Sequence, residues 1–142
     1  MMADTGQEHT GSCHCGSVKF AAKLPDDLAP HRCNCSMCEK KSTVVIDLPK
    51  GDLTVTSGED TLSAYSFGTG VAKHWFCSNC GIQVYQNLRS DPHLVSVNAA
   101  CIEGLDIWDF EEIPVVDGRY RHPKDTGTPG RKYIGVQKLV RE

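Results

Sequence analysis

Apolar and polar positions alternate along this chain in short bursts, each closed by turn-forming residues. Ser17-Val18-Lys19-Phe20-Ala21 alternates as a half-buried strand does, and Pro25 with Asp26 and Asp27 marks the turn that follows. Thr43-Val44-Val45-Ile46-Asp47-Leu48 is a β-branched run ended by Pro49-Lys50-Gly51-Asp52, and Leu53-Thr54-Val55-Thr56 alternates again before Ser57-Gly58. These two runs read as a hairpin. Residues 62–67, 72–76, 82–85 and 94–98 are further strand candidates, each short and turn-bounded. Only Asp26 to Ala29 and Cys35 to Lys41 offer a brief helical turn, because no segment sustains a 3.6-residue apolar period. After Pro114 the pairs Asp117-Gly118 and His122-Pro123 and the run Gly127-Thr128-Pro129-Gly130 predict irregular chain up to a last strand near residues 133–136. The expected class is mostly β, built from short antiparallel strands.

Length changes this picture little: 142 residues suit one domain with a real core. Residues 1–10 are polar and read as a flexible leader, with a single domain over 11–142. A net charge of −3 and a pI near 6.0 give no pull toward nucleic acid. The N-terminus lacks the basic and apolar regions of a secretory signal, and no apolar run approaches the ~20 residues that cross a bilayer. A cytoplasmic protein is expected, with no membrane partner.

That expectation bears on the cysteines, since thiols in a reducing compartment persist as metal ligands or redox groups rather than disulfides. Seven of the eight fall into Cys13-x-Cys15, Cys33-x-Cys35-x-x-Cys38 and Cys77-x-x-Cys80-Gly81. The last is a knuckle whose turn aims two thiolates at one metal, with glycine accommodating the backbone beyond. A structural zinc takes four protein ligands and a catalytic one keeps three. Seven therefore divides as Cys13, Cys15, Cys77 and Cys80 in a closed site and Cys33, Cys35 and Cys38 in an open one, two Zn²⁺ per chain. Closure of the second site by Cys101 or a histidine is the alternative. Cys101 stands alone in an apolar run, where a cysteine is usually just buried.

Of the six histidines, His14, His31 and His74 lie near cysteine ligands in sequence, where each could orient a ligand or move a proton. His74 is the candidate catalytic residue, because a strand ending at the knuckle could carry it toward the neighbouring metal. Trp75, Phe76, Tyr85, Trp108, Phe110 and Tyr120 are expected in the core.

Gly11-Ser12-Cys13-His14-Cys15-Gly16-Ser17-Val18-Lys19-Phe20, the run from Cys33 to Lys41 and His74-Trp75-Phe76-Cys77-Ser78-Asn79-Cys80-Gly81 together resemble the glutathione-dependent formaldehyde-activating enzyme and centromere protein V family. The resemblance covers residues 11–113 and is closer to the centromere protein V branch, through Phe67-Gly68-Thr69, Arg89-Ser90-Asp91-Pro92 and Cys101. It implies a β-tent fold around zinc, a four-cysteine structural zinc, a three-cysteine second zinc and carbon-sulfur lyase chemistry on glutathione. A glutathione substrate would need cationic partners for its carboxylates, and Lys40, Lys41, Lys73 and Arg89 lie in or near the motifs. The rival readings are a non-enzymatic zinc module that binds a protein partner and a glutathione carrier that never turns over.

Overall fold

A computed structural model describes residues 6–142. Strands β1 (Gln7–Ser12), β2 (Lys19–Leu24) and β5 (Leu53–Ser57) form one antiparallel sheet in the order β1-β2-β5. A second sheet has the order β4-β9-β8-β7-β6, from β4 (Val45–Pro49), β6 (Leu62–Tyr65), β7 (Lys73–Cys77), β8 (Gln83–Asn87) and β9 (Leu94–Asn98). The third, β11-β10-β3, joins β3 (Arg32–Cys33), β10 (Glu112–Val116) and β11 (Tyr133–Lys138). Among the described residues are also two short helices, α1 (Ser36–Lys41) and α2 (Pro123–Thr126). The chain is mostly β, as its alternation predicts.

The core lies between the first two sheets. β2 alternates exposed and buried positions, so Phe20, Ala22 and Leu24 face inward. They meet Ile46 and Leu48 of β4, Val84 of β8 and Val95 and Val97 of β9. Cys13, Cys77 and Cys101 belong to the same buried cluster, so the first and last cysteine motifs sit on the edge of the core.

Four expectations need correction. Residues 7–10 are not leader but the start of β1, which pairs with β2 from Gln7 opposite Leu24; residues 1–5 of the expected leader lie outside the described residues. The hairpin of 43–48 with 53–56 does not form: β4 pairs with β9 and β5 with β2, and a 3-10 turn at Lys50–Asp52 carries the chain between sheets. Alternation marks a strand but not its partner, and Val45, Ile46 and Leu48 are all buried, as in a strand covered on both faces. Asp26 to Ala29 is not helical: Asp26 and Asp27 form a bend and Ala29 sits at φ 45°, since the following Pro30 disfavours the helical conformation there. Of the aromatics expected inside, Trp108 and Tyr120 are exposed, at 61% and 75%.

Candidate metal centres and pocket

Two groups of thiols converge. The sulfurs of Cys13, Cys15, Cys77 and Cys80 all lie within 4.8 Å of one another, and those of Cys33, Cys35 and Cys38 do the same elsewhere; each group could hold a metal ion. Two tight loops build the first. Cys13 N donates to Val18 O and Gly16 N to Cys13 O, with Gly16 at φ 82°, while Cys77 N donates to Ile82 O and Gly81 N to Cys77 O, with Gly81 at φ 80°. Both loops close through a glycine in the left-handed region, where a side chain would be strained. Cys15 Sγ stands 3.7 Å from Cys13 Sγ and 3.7 Å from Cys77 Sγ. Hydrogen bonding to Ser17 first, and to Asn79 next, lowers the Cys15 thiol to about 5.

The second group rests on β3 and α1. Cys33 is on β3, held by the parallel pairing of β3 with β10 that sets Cys33 opposite Val116. Cys35 caps α1, accepting from Cys38 N at 3.3 Å, and Cys35 N donates to Cys33 Sγ at 3.4 Å. Hydrogen bonds from Cys33 and Cys38 stabilise Cys35 as thiolate, to about 2, and the same bonds raise Cys33 and Cys38. Gly118 packs on this group so closely that an added Cβ would lie 2.5 Å from Cys33 Sγ.

Cys101 does not complete this trio. Its buried thiol points to Gln83 O at 3.7 Å, and burial, with Cys13 and Cys80 as charged neighbours, pushes it up to about 12. It belongs beside the first group. Among the described residues no histidine or carboxylate joins either set.

The three thiols open into a cavity of about 330 Å³, while the four-thiol group does not line it. His74 and Phe67 form part of one wall, their rings 6.1 Å apart and 16° from parallel. Further lining comes from the chain after β10: Gly118, Arg119, Arg121, His122, Arg131 and Lys132. The irregular tail seen in the sequence is therefore a wall of the pocket, and no sequence signal placed it there. Three ion pairs fasten it, Arg119 to Glu39 on α1 at 2.8 Å, Asp125 to Arg89 at 2.9 Å and Arg131 to Asp47 on β4. With Arg89, five cationic side chains of the described residues line the cavity, and no Asp or Glu among those residues does. Lys40 and Lys73 do not line it; Arg89 does.

Lys41 is half-buried beside His74. Its Nζ lies 2.6 Å from Gln83 Oε1, 2.6 Å from Gln86 Oε1 and 3.0 Å from His74 Nδ1. Burial pulls the ammonium below the ordinary lysine value, against Cys38, Cys35 and Cys33, whose charges raise it. Burial first, and the Lys41 charge second, hold the His74 imidazole below its usual value. His14 is exposed and outside the pocket, whereas His31 lines it and faces Asp47, with Nε2 3.7 Å from Oδ1.

The match to known proteins now bears on this geometry. The model of the glutathione-dependent formaldehyde-activating enzyme family matches residues 8–112. The chain belongs to this family. Within it, a Halomonas elongata protein named, provisionally, as a glutathione-dependent formaldehyde-activating enzyme is 32% identical over 101 residues, 66% of this chain and 64% of that relative. The chain thus matches under two thirds of that relative's length. A Rhodobacter sphaeroides protein of known crystal structure superposes with a TM-score of 0.72 at 38% identity, over 75% of this chain and 98% of that one. The family model ends at residue 112, so the cationic wall from Gly118 to Lys132 lies beyond the matched region.

Proposed function

We propose that this chain is a zinc-dependent carbon-sulfur lyase-type enzyme acting on glutathione or a related thiol adduct. Cys13, Cys15, Cys77 and Cys80 would hold a structural zinc, and Cys33, Cys35 and Cys38 a second zinc whose fourth position takes a substrate sulfur. The observation that carries this is the open trio: three thiols converge at a cavity, with no fourth donor of the usual kinds among the described residues. Zinc–sulfur bonds of 2.3 Å in a tetrahedron set sulfurs about 3.8 Å apart. The 3.7 Å spacings of the four-thiol group suit that ion. All eight cysteines are free, in keeping with a cytoplasmic protein, and no helix among the described residues is long and apolar enough to cross a membrane.

Zinc on the trio supplies a soft cation that keeps a bound thiol ionised. Three thiolates leave that unit at about −1, and the Lys41 ammonium behind it offsets the charge. The cationic lining offers partners to the carboxylates of glutathione: each arginine keeps N–H donors beyond those its ion pair uses, and Lys132 has no ion-pair partner among the described residues. In the forming direction the substrate sulfur gives an electron pair to a carbonyl carbon and the carbonyl oxygen takes a proton. In the reverse direction the C–S bond breaks toward sulfur, the C=O bond re-forms and the hydroxyl proton leaves. His74 lines this cavity, and in this reading it hydrogen-bonds the oxygen that gains or loses that proton.

Titrating glutathione into zinc-loaded protein tests the reading, with formaldehyde turnover assayed separately. Micromolar to millimolar binding that disappears in Cys35→Ser is expected. No binding, or binding indifferent to Cys35, would overturn the thiol substrate. Turnover that survives loss of the second zinc would overturn zinc catalysis.

A further inference from the structure

We propose that Lys41 locks His74 with its proton on Nε2, making Nε2–H a standing donor for an oxygen on the sulfur-bearing carbon of a bound adduct. Lys41 is thereby a positioning residue. Only the identity of that acceptor rests on the thiol reading above; the proton's place on the ring follows from geometry.

An ammonium has three donors and no acceptor. Lys41 Nζ faces three acceptor atoms, Gln83 Oε1 and Gln86 Oε1 at 2.6 Å each and His74 Nδ1 at 3.0 Å. Gln83 Nε2 donates to Gln86 Oε1 at 3.2 Å, so both amides are turned with oxygen toward Lys41. The three protons are then spoken for, one of them on Nδ1. A ring that accepts at Nδ1 carries its remaining proton on Nε2.

That atom is buried and has no hydrogen-bond partner among the described residues. The histidine is only 4% exposed, yet it lines the same cavity as the thiol trio, with Phe67 stacked on its ring. Buried N–H groups are nearly always satisfied, so an orphan at a cavity wall implies an acceptor that arrives with the ligand. A hemithioacetal hydroxyl or a carbonyl oxygen, one bond from the carbon that bears sulfur, has that chemistry. The sequence offers His74 as a candidate catalytic residue that could move a proton; the lysine beside it makes it a donor in the resting site. Lys41 sits one helical turn after Cys38 on α1, so a single short helix sets both a thiol ligand and the ring's proton.

The test is long-range ¹H–¹⁵N correlation on zinc-loaded protein with ¹⁵N-labelled histidine at pH 7.5, assigning His74 by its loss in His74→Gln. The wild type should show His74 protonated on Nε2 alone, Lys41→Arg should keep that form, and Lys41→Met should show a mixture of both tautomers. A wild-type ring protonated on Nδ1, or on both nitrogens, overturns the proposal; should Lys41→Met not fold, the other two spectra decide. In a second arm, glutathione with formaldehyde should move the Nε2 signal and glutathione alone should leave it in place. His74→Phe should weaken the adduct about tenfold, and glutathione alone no more than about twofold. Glutathione that binds at the trio while its formaldehyde adduct leaves Nε2 unmoved overturns the acceptor assignment. Failure of glutathione to bind at all sinks the thiol reading instead, and the first arm still decides the tautomer.

Discussion

At Gly118 the backbone alone faces Cys33, and a methyl group there would stand 2.5 Å from its sulfur. Gly118→Ala should therefore push Cys33 out of the trio and leave the four-thiol group untouched: metal analysis of the variant should find about one zinc per chain lost relative to the wild type. His31 gives a second check. Burial, partly countered by Asp47, lowers its pKa below the ordinary value, so the unfolded state binds the extra proton. Stability from this site is present above the unfolded pKa of about 6.5 and falls as pH drops below it. Thermal unfolding of the wild type between pH 7.5 and 5.5 should show a steeper loss than His31→Gln. The cysteines were legible because their spacing lies within short motifs that a loop must satisfy locally. Gly118 and Lys41 were not, since their importance comes from tertiary approach: Gly118 is brought to Cys33 by the β3–β10 pairing, and Lys41 turned inward only once Gln83 and Gln86 of β8 lay opposite.

Among the elements, eight of the eleven strands of the described residues were read from alternation to within about three residues, β9 at its full Leu94–Asn98 extent, while β1 and the two-residue β3 were missed. Partners were not, because pairing is decided by which faces are buried and by long connections that alternation does not encode. β10 escaped notice behind Pro114, which sits inside it. The segment that follows is held to the rest by ion pairs of unequal weight. Arg119–Glu39 is exposed at both ends, and such pairs contribute about 0–1 kcal/mol. Asp47 is a largely buried node that accepts from Ser96 Oγ at 2.5 Å, pairs with Arg131 and faces His31. Asp47→Asn should cost about 1–3 kcal/mol in urea denaturation and raise hydrogen exchange between residues 117 and 132, while Arg119→Ala changes stability by less than about 1 kcal/mol.

For the whole molecule, the two cysteine groups divide the labour. Cys13 and Cys77 belong to the apolar cluster around Phe20, whereas Cys33, Cys35 and Cys38 are half-buried on the pocket side. Cys77→Ser should thus unfold the protein or lower its midpoint as severely as Phe20→Ala, about 3–5 kcal/mol, and Cys38→Ser should fold normally and lose only the pocket metal. The count of thiols at each site, four in the closed set and three in the open one, is what separates an enzyme from a zinc module with two structural ions. Zinc-edge X-ray absorption with a metal count, recorded with and without glutathione, reads that difference. Two zincs per chain are expected, with sulfur per zinc rising from about 3.5 to about 4 when glutathione is added. Two zincs already at four sulfurs each, unchanged by glutathione, would contradict the open site.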